Sequence, residues 1–320
     1  MLLELRKLSV AFDTPRGRVQ AVREVDLDID PGDCVGLVGE SGSGKTQLLL
    51  AAFGLAEPSA RIRGSARFKG EELLGASDRA LASVRGARVG FVFQDPMSSL
   101  TPHLTIGTQI AEVLRVHRRV AASDARSRAL ELLERVGIGD PAQRLRQYPH
   151  ELSGGMRQRA MLAVALACEP ELLIADEPTT ALDVTVQAGI LELLRELKAE
   201  RRLAIVLVTH DFGVAAAICD RMAVMYAGMV VERGTTAQLF AGAHHPYSRA
   251  LLAALPRLDT PLDAPLASIH GKPPGPLEAL VGCAYSPRCE RAEGRCRAEP
   301  PDLAAQSATR AVACFRPYDT

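Results

Sequence analysis

The stretch from Gly39 to Thr46, "GESGSGKT", limits what this chain can fold into more than any other part of it. It fits the pattern G-x-x-x-x-G-K-[ST] without a mismatch, between the apolar run "CVGLV" and the helical pattern "KTQLLLAAF" that closes at Gly54. Small residues let successive backbone N–H groups turn inward as an anion nest, and the following helix adds the positive end of its dipole. Gly39, Glu40, Ser41, Gly42, Ser43 and Gly44 are therefore read as a phosphate-wrapping loop. Lys45 would reach the β- and γ-phosphates of a nucleotide, and Thr46 would offer its hydroxyl to Mg²⁺.

A strand–loop–helix unit of this kind needs a sheet to sit on. The later runs "VGFVF", "LLIA" and "LAIVLV" are short, continuous and apolar, as expected of strands buried on both faces. Helical patterns lie between them. In "VTVQAGILELLRELKAE" the residues Val186, Ile190, Leu193, Leu194 and Leu197 form one stripe, so the class is α/β. The start is different. From Val22 to Asp30, Val25, Leu27 and Ile29 alternate with acids, a half-buried strand closed by the turn Pro31-Gly32. From Pro102 to Ala167 strand patterns are missing and helical ones dominate, with Ser123 expected to cap one helix and Gly137 to stop it. "AVMYAGMVVERG" predicts a hairpin turning at Ala227-Gly228, and the proline-rich stretch from Leu258 to Pro276 predicts a linker.

Composition removes some functions. The 38 basic and 38 acidic residues cancel, so no broad nucleic-acid-binding surface is expected. Glu4, Arg6 and Lys7 interrupt any leader-like apolar segment, and the longest uncharged apolar run, "AMLAVALAC", is about half of the ~20 residues that span a bilayer. A soluble, cytosolic chain with reduced thiols is the expectation.

A phosphate site needs an acid at the end of a buried strand, and "LLIADEP" supplies Asp176 for Mg²⁺ and Glu177 as a general base. These motifs alone leave kinase, GTPase and transport ATPase open. The segment "ELSGGMRQRAMLAVALACEP" adds Ser153, Gly154 and Gly155 at a helix N-terminus, a second place where an anion could bind.

With "LSGGMRQR" just upstream of "LLIADEP", the chain resembles the ATP-binding subunits of ABC transporters. The resemblance implies a P-loop NTPase fold of ABC type: a mixed sheet core, an N-terminal antiparallel β part and an inserted helical subdomain at about 96–167. It implies ATP and Mg²⁺ as ligands, and a signature segment that binds the γ-phosphate held by an opposite subunit. Gln94 in "FVFQDPMSSL" matches the Q-loop glutamine that contacts Mg²⁺ and the attacking water. Asp183 in "TTALDVTVQ" matches the D-loop, and His210 in "VLVTHD" the switch histidine. Phe12 in "LSVAF" is placed like the aromatic that stacks on adenine. Finer features resemble the oligopeptide/dipeptide import branch: Gln47 after the phosphate loop, "FQDPMSSLTP", and "HHPYSRALLAALP" from His244 to Pro256.

The resemblance thus implies a nucleotide-binding domain at 1–235 and an extension at 236–320. It also implies two permease subunits, an extracytoplasmic substrate-binding protein, a second and homologous ATPase subunit, and a peripheral place on the cytoplasmic face of the inner membrane. The cargo would be di- or oligopeptides, with a nickel chelate or a glutathione-like solute as alternatives. A soluble non-transport ABC ATPase is the rival class, disfavoured by the single cassette and the lack of sustained heptads.

Four of the seven cysteines follow in the extension: Cys283, Cys289, Cys296 and Cys314. Their spacing, C-x₅-C-x₆-C-x₁₇-C, lacks the close pairs typical of zinc sites. Four thiolates suit an iron–sulfur cluster, and the tail resembles that of peptide-importer ATPases, some of which hold [4Fe-4S]. Such a cluster is expected here as a structural staple, with zinc or free thiols as alternatives. Cys34, Cys168 and Cys219 are read as core thiols.

Overall fold

Alternation at the start of the chain yields two long antiparallel strands, β1 (Leu3–Thr14) and β2 (Gly17–Ile29), in which Val22, Val25, Leu27 and Ile29 turn inward. The structure, a computed structural model, describes residues 1–180, 182–255 and 268–319. Next come β3 (Cys34–Val38), α1 (Lys45–Ala52), β4 (Ala60–Phe68), β5 (Glu71–Glu72), α2 (Asp78–Val84) and β6 (Val89–Val92). β4 pairs with β1, so the first sheet runs β2-β1-β4-β5.

Between β6 and β7 the chain is helical: α3 (Pro96–Ser99), α4 (Ile106–Arg118), α5 (Ala122–Arg135), α6 (Pro141–Arg144) and α7 (Gly154–Leu166). Thr105 and Ser153 cap α4 and α7 with their hydroxyls. Ser123 does not cap α5. Burial of Ala125, Ala129 and Leu133 sets the start of that helix two residues earlier, with Ala121 at its N-cap, and the Ser123 hydroxyl bonds Asp124 instead. The helix ends at Val136, and Gly137 takes the left-handed conformation (φ 72°) that terminates it.

The second sheet is built from β7 (Leu172–Asp176), α8 (Val184–Arg201), β8 (Ala204–Thr209), α9 (Phe212–Ile218), β9 (Arg221–Tyr226) and β10 (Met229–Thr235), with β3 and β6. Its parallel centre is β9-β3-β8-β7-β6, and the expected hairpin turns β9 into β10 through Ala227 (φ 48°) and Gly228 (φ 84°). The period of two explains why these strands are apolar throughout. Ile205 and Leu207 enter the core under the helical segment, while Val206 and Val208 enter the core beneath the antiparallel sheet. Cys34, Cys168 and Cys219 are buried, as read.

Beyond β10 lie α10 (Thr236–Ala241), α11 (Pro246–Ala253), α12 (Gly294–Ala298), β11 (Ala304–Ala305) and β12 (Ala311–Val312). β12 pairs with β10, so the tail adds itself to the edge of the main sheet. Glu232 of β10 is fully buried there, bonded by the N–H groups of His244 and His245 (both 2.9 Å) and by Arg310 (2.7 Å). The expected linker lies outside the described residues as far as 267, and 268–276 carries neither helix nor strand.

Candidate nucleotide site

The phosphate loop joins β3 to α1 in a turn that only glycine fits. A Cβ on Gly39 would stand 2.2 Å from the carbonyl of Met225, and one on Gly44 (φ 99°) 2.4 Å from that of Ala21. Lys45 is buried, and its ammonium donates to the carbonyls of Gly39 (2.7 Å) and Glu40 (3.0 Å) and to the Ser43 hydroxyl (3.3 Å). Burial lowers its pKa, opposed by the charges of Glu177, Asp176 and Glu40. Ser41 and Gly42 are exposed at the tip of the loop, and the buried amide oxygen of Gln47 has no hydrogen-bond partner among the described residues.

Asp176 ends β7, buried, with Thr46 hydrogen-bonded to it; burial raises its pKa against that bond and the charge of Lys45. Glu177 follows in a left-handed conformation (φ 48°), fixed by its N–H bond to Val208 (2.9 Å). Three side chains hold its carboxylate. His210 Nδ1 lies 3.0 Å from Oε1, and Oε2 accepts from Thr180 (2.8 Å) and Gln94 (3.1 Å). Burial pushes this carboxyl up, but His210, Thr180 and Lys45 outweigh it and hold the group below its ordinary value. Thr180 escaped the sequence reading, although its place three residues after Glu177 in a tight turn was a usable sign.

Lys45, Thr46, Gln94, Asp176, Glu177 and His210 therefore meet at the C-terminal ends of adjacent parallel strands. Other expected residues stand apart. Ser153, exposed, accepts from the Met156 N–H (3.3 Å), and among the described residues no hydrogen bond joins Ser153, Gly154 or Gly155 to the phosphate loop. Asp183 caps α8 by accepting from Val186 (2.9 Å). Phe12 is half-buried on β1 opposite Val19 and Ala60, packed on the core of the antiparallel sheet. The donors that do converge, a threonine hydroxyl, a carboxylate and an amide oxygen, are hard oxygen ligands of the kind Mg²⁺ takes, beside a nest with a buried lysine.

The iron–sulfur cluster expected in the tail, and zinc with it, must be withdrawn. Among the described residues no group of three or more His, Cys, Asp or Glu is placed to hold a metal ion. Cys283, Cys289, Cys296 and Cys314 do line one cavity, but it measures about 10 Å³, which is at most the room of a single water. Burial pushes the thiols of Cys283, Cys289 and Cys314 up, the last to about 11. The tail is held by other means: its strand on β10, the Glu232–Arg310 pair, and a contact with the phosphate loop itself.

Comparison with known proteins agrees with this geometry. The ABC transporter family matches residues 22–180, and the oligopeptide/dipeptide transporter C-terminal region matches residues 231–296. The oligopeptide transport ATP-binding protein OppD of Salmonella typhimurium is 47% identical over 319 residues, covering 100% of this chain and 95% of that protein. The dipeptide transport ATP-binding protein DppD of Escherichia coli is 46% identical over 319 residues, covering 99% and 97%. Among solved structures, the dimeric ATP-binding cassette MJ0796 bound to ADP and Pi aligns with a TM-score of 0.67 at 30% identity, over 73% of this chain and 98% of that one.

Proposed function

The chain belongs to the ABC transporter ATPases, and from that premise we infer that it is the ATP-binding and ATP-hydrolysing subunit of a membrane importer for di- or oligopeptides. One observation carries the ATPase reading: Glu177, held ionised by His210, Thr180 and Gln94, stands beside a buried lysine in a phosphate nest. The peptide cargo is supported by near full-length similarity to OppD and DppD and by the match of the C-terminal region.

We take residues 1–235 as the nucleotide-binding domain, with a helical subdomain at about 96–167, and 236–320 as the extension. In catalysis Lys45 and the loop N–H groups hold the β- and γ-phosphates. Glu177 accepts the proton of the attacking water while oxygen adds to the γ-phosphorus and the bond to ADP breaks. Gln94 and His210 fix the carboxylate and the water. Thr46, Asp176 and Gln94 would hold Mg²⁺, which supplies neutralisation of phosphate charge.

Ser153 and Gly154, exposed, and half-buried Gly155, all unbonded to their own phosphate loop among the described residues, suit the γ-phosphate of a nucleotide on an opposing subunit. Val184, 83% exposed beside Asp183, suits the same contact. Two subunits then close head to tail around ATP, and loss of the γ-phosphate removes the differential contact that favours closure. α3, which follows Gln94, packs on α7, which starts at the signature residues, so a change at Gln94 reaches the helical segment. Exposed Phe93 and Met97 flank Gln94 and offer a docking surface for permeases.

The partners in this reading are two permeases, an extracytoplasmic binding protein and a second ATPase subunit, a homologous heterodimer partner. No helix among the described residues is long and apolar enough to cross a membrane. Attachment to the cytoplasmic face of the inner membrane would therefore run through the permeases. Tagged chain, isolated from solubilised membranes, should bring down multi-spanning permeases; recovery with cytosolic proteins alone would contradict the transport role.

A further inference from the structure

Arg288 belongs to the cysteine-bearing tail, 248 residues from the phosphate loop, yet it reaches into that loop. Its guanidinium grips the Glu40 carboxylate with both arms, at 2.7 and 3.1 Å. The remaining donors go to the Tyr226 hydroxyl (3.2 Å) and the carbonyls of His270 (2.9 Å) and Ile269 (3.4 Å). All five N–H groups are thus satisfied, and the side chain is 3% exposed. The rings of Tyr226 and Tyr285 flank it at 5.8 and 5.9 Å. A second tail residue, fully buried Tyr247, accepts the backbone N–H of Glu40 (2.8 Å).

A carboxylate in a phosphate nest is out of place. The loop binds an anion with several negative charges, and Glu40 is close enough to Lys45 to act on its charge. Unpaired, Glu40 would repel the ligand that Lys45 attracts. Paired, it becomes an anchor that fixes the loop without opposing the phosphates. We propose that the tail is an electrostatic part of the nucleotide site: Arg288 is a positioning residue that neutralises and orients Glu40, so that the phosphate loop binds ATP tightly. The tail thereby controls ATP affinity, while the bond-breaking step stays with Glu177. The tight fork of a planar guanidinium suits this task better than a lysine would.

The proposal rests on the loop binding ATP, so the purified full-length wild type is titrated first with MgATP by calorimetry; no binding there would undo the functional reading itself. Arg288→Met should then weaken ATP binding and raise the KM for ATP roughly tenfold, with kcat within about twofold. Adding Glu40→Gln to Arg288→Met should recover affinity to within about threefold of wild type, because the uncompensated charge is gone. A loss of stability alone, with the KM for ATP unchanged in Arg288→Met, would overturn the proposal. So would a double variant as weak as the single one. If Arg288→Met does not fold, the double variant decides: folding with near wild-type ATP affinity supports the proposal, and failure to fold assigns Arg288 a packing role only.

Discussion

Glu177 shows how much of the chemistry a short stretch of sequence can carry, and where it stops. The acid is legible because it follows the buried strand "LLIAD", and Lys45 because its loop is contiguous. Gln94 and His210 come from separate segments, and only the fold brings them, with Thr180 of the adjoining turn, to one carboxylate. Family resemblance located Gln94 and His210, and the turn after Glu177 offered a sign for Thr180, but nothing local marked the Arg288–Glu40 pair, which has no periodicity to betray it. The Glu177 carboxyl, held below its ordinary value, stays ionised across the neutral range and is a ready base. Glu177→Gln keeps the shape and removes the base, so steady-state phosphate release should fall about 10²–10³-fold while ATP stays bound. Undiminished release would assign the base elsewhere.

At the level of elements, β-strands and capped helices follow their patterns closely, because alternation, glycine turns and hydroxyl caps act over a few residues. The start of α5 was misplaced for the same reason. Ser123 is a good cap locally, but burial of Ala125, Ala129 and Leu133 decides the register. The tail failed differently. Its thiols gather as the resemblance implied, yet around a cavity with no room for a cluster, while the anchoring falls to β12 and Glu232. His245 belongs to that anchor. Its Nδ1 accepts the Tyr247 N–H (3.0 Å) at the head of α11, which requires a neutral ring. Burial pushes it from the ordinary 6.5 down to about 4, against the charge of Glu232 and a bond to Ala313. The unfolded chain therefore binds the extra proton first, and stability is lost as pH falls through 6.5 toward 4, by about 3 kcal/mol in total. His245→Asn keeps an acceptor for Tyr247 and should flatten the fall in unfolding midpoint between pH 6.5 and 4.5. An unchanged fall would show that other groups cause it.

The whole molecule is a nucleotide site divided between what is assembled and what is left open. One half, from Lys45 to His210, is complete within the chain. The other, Ser153 to Gly155, makes no hydrogen bond to it among the described residues, and in the proposed head-to-tail pairing it completes the site of a second subunit. The extension is not a passive appendage in this view, since it reaches back to the loop that holds the phosphates. The central claim, that ATP consumed here drives peptides across a membrane, is tested most directly by transport. The complete complex, rebuilt in vesicles with its permeases and binding protein, should accumulate labelled di- or oligopeptide only with ATP on the side of this chain, and Lys45→Ala should abolish uptake. ATP hydrolysis without peptide accumulation, or uptake indifferent to Lys45→Ala, would contradict it.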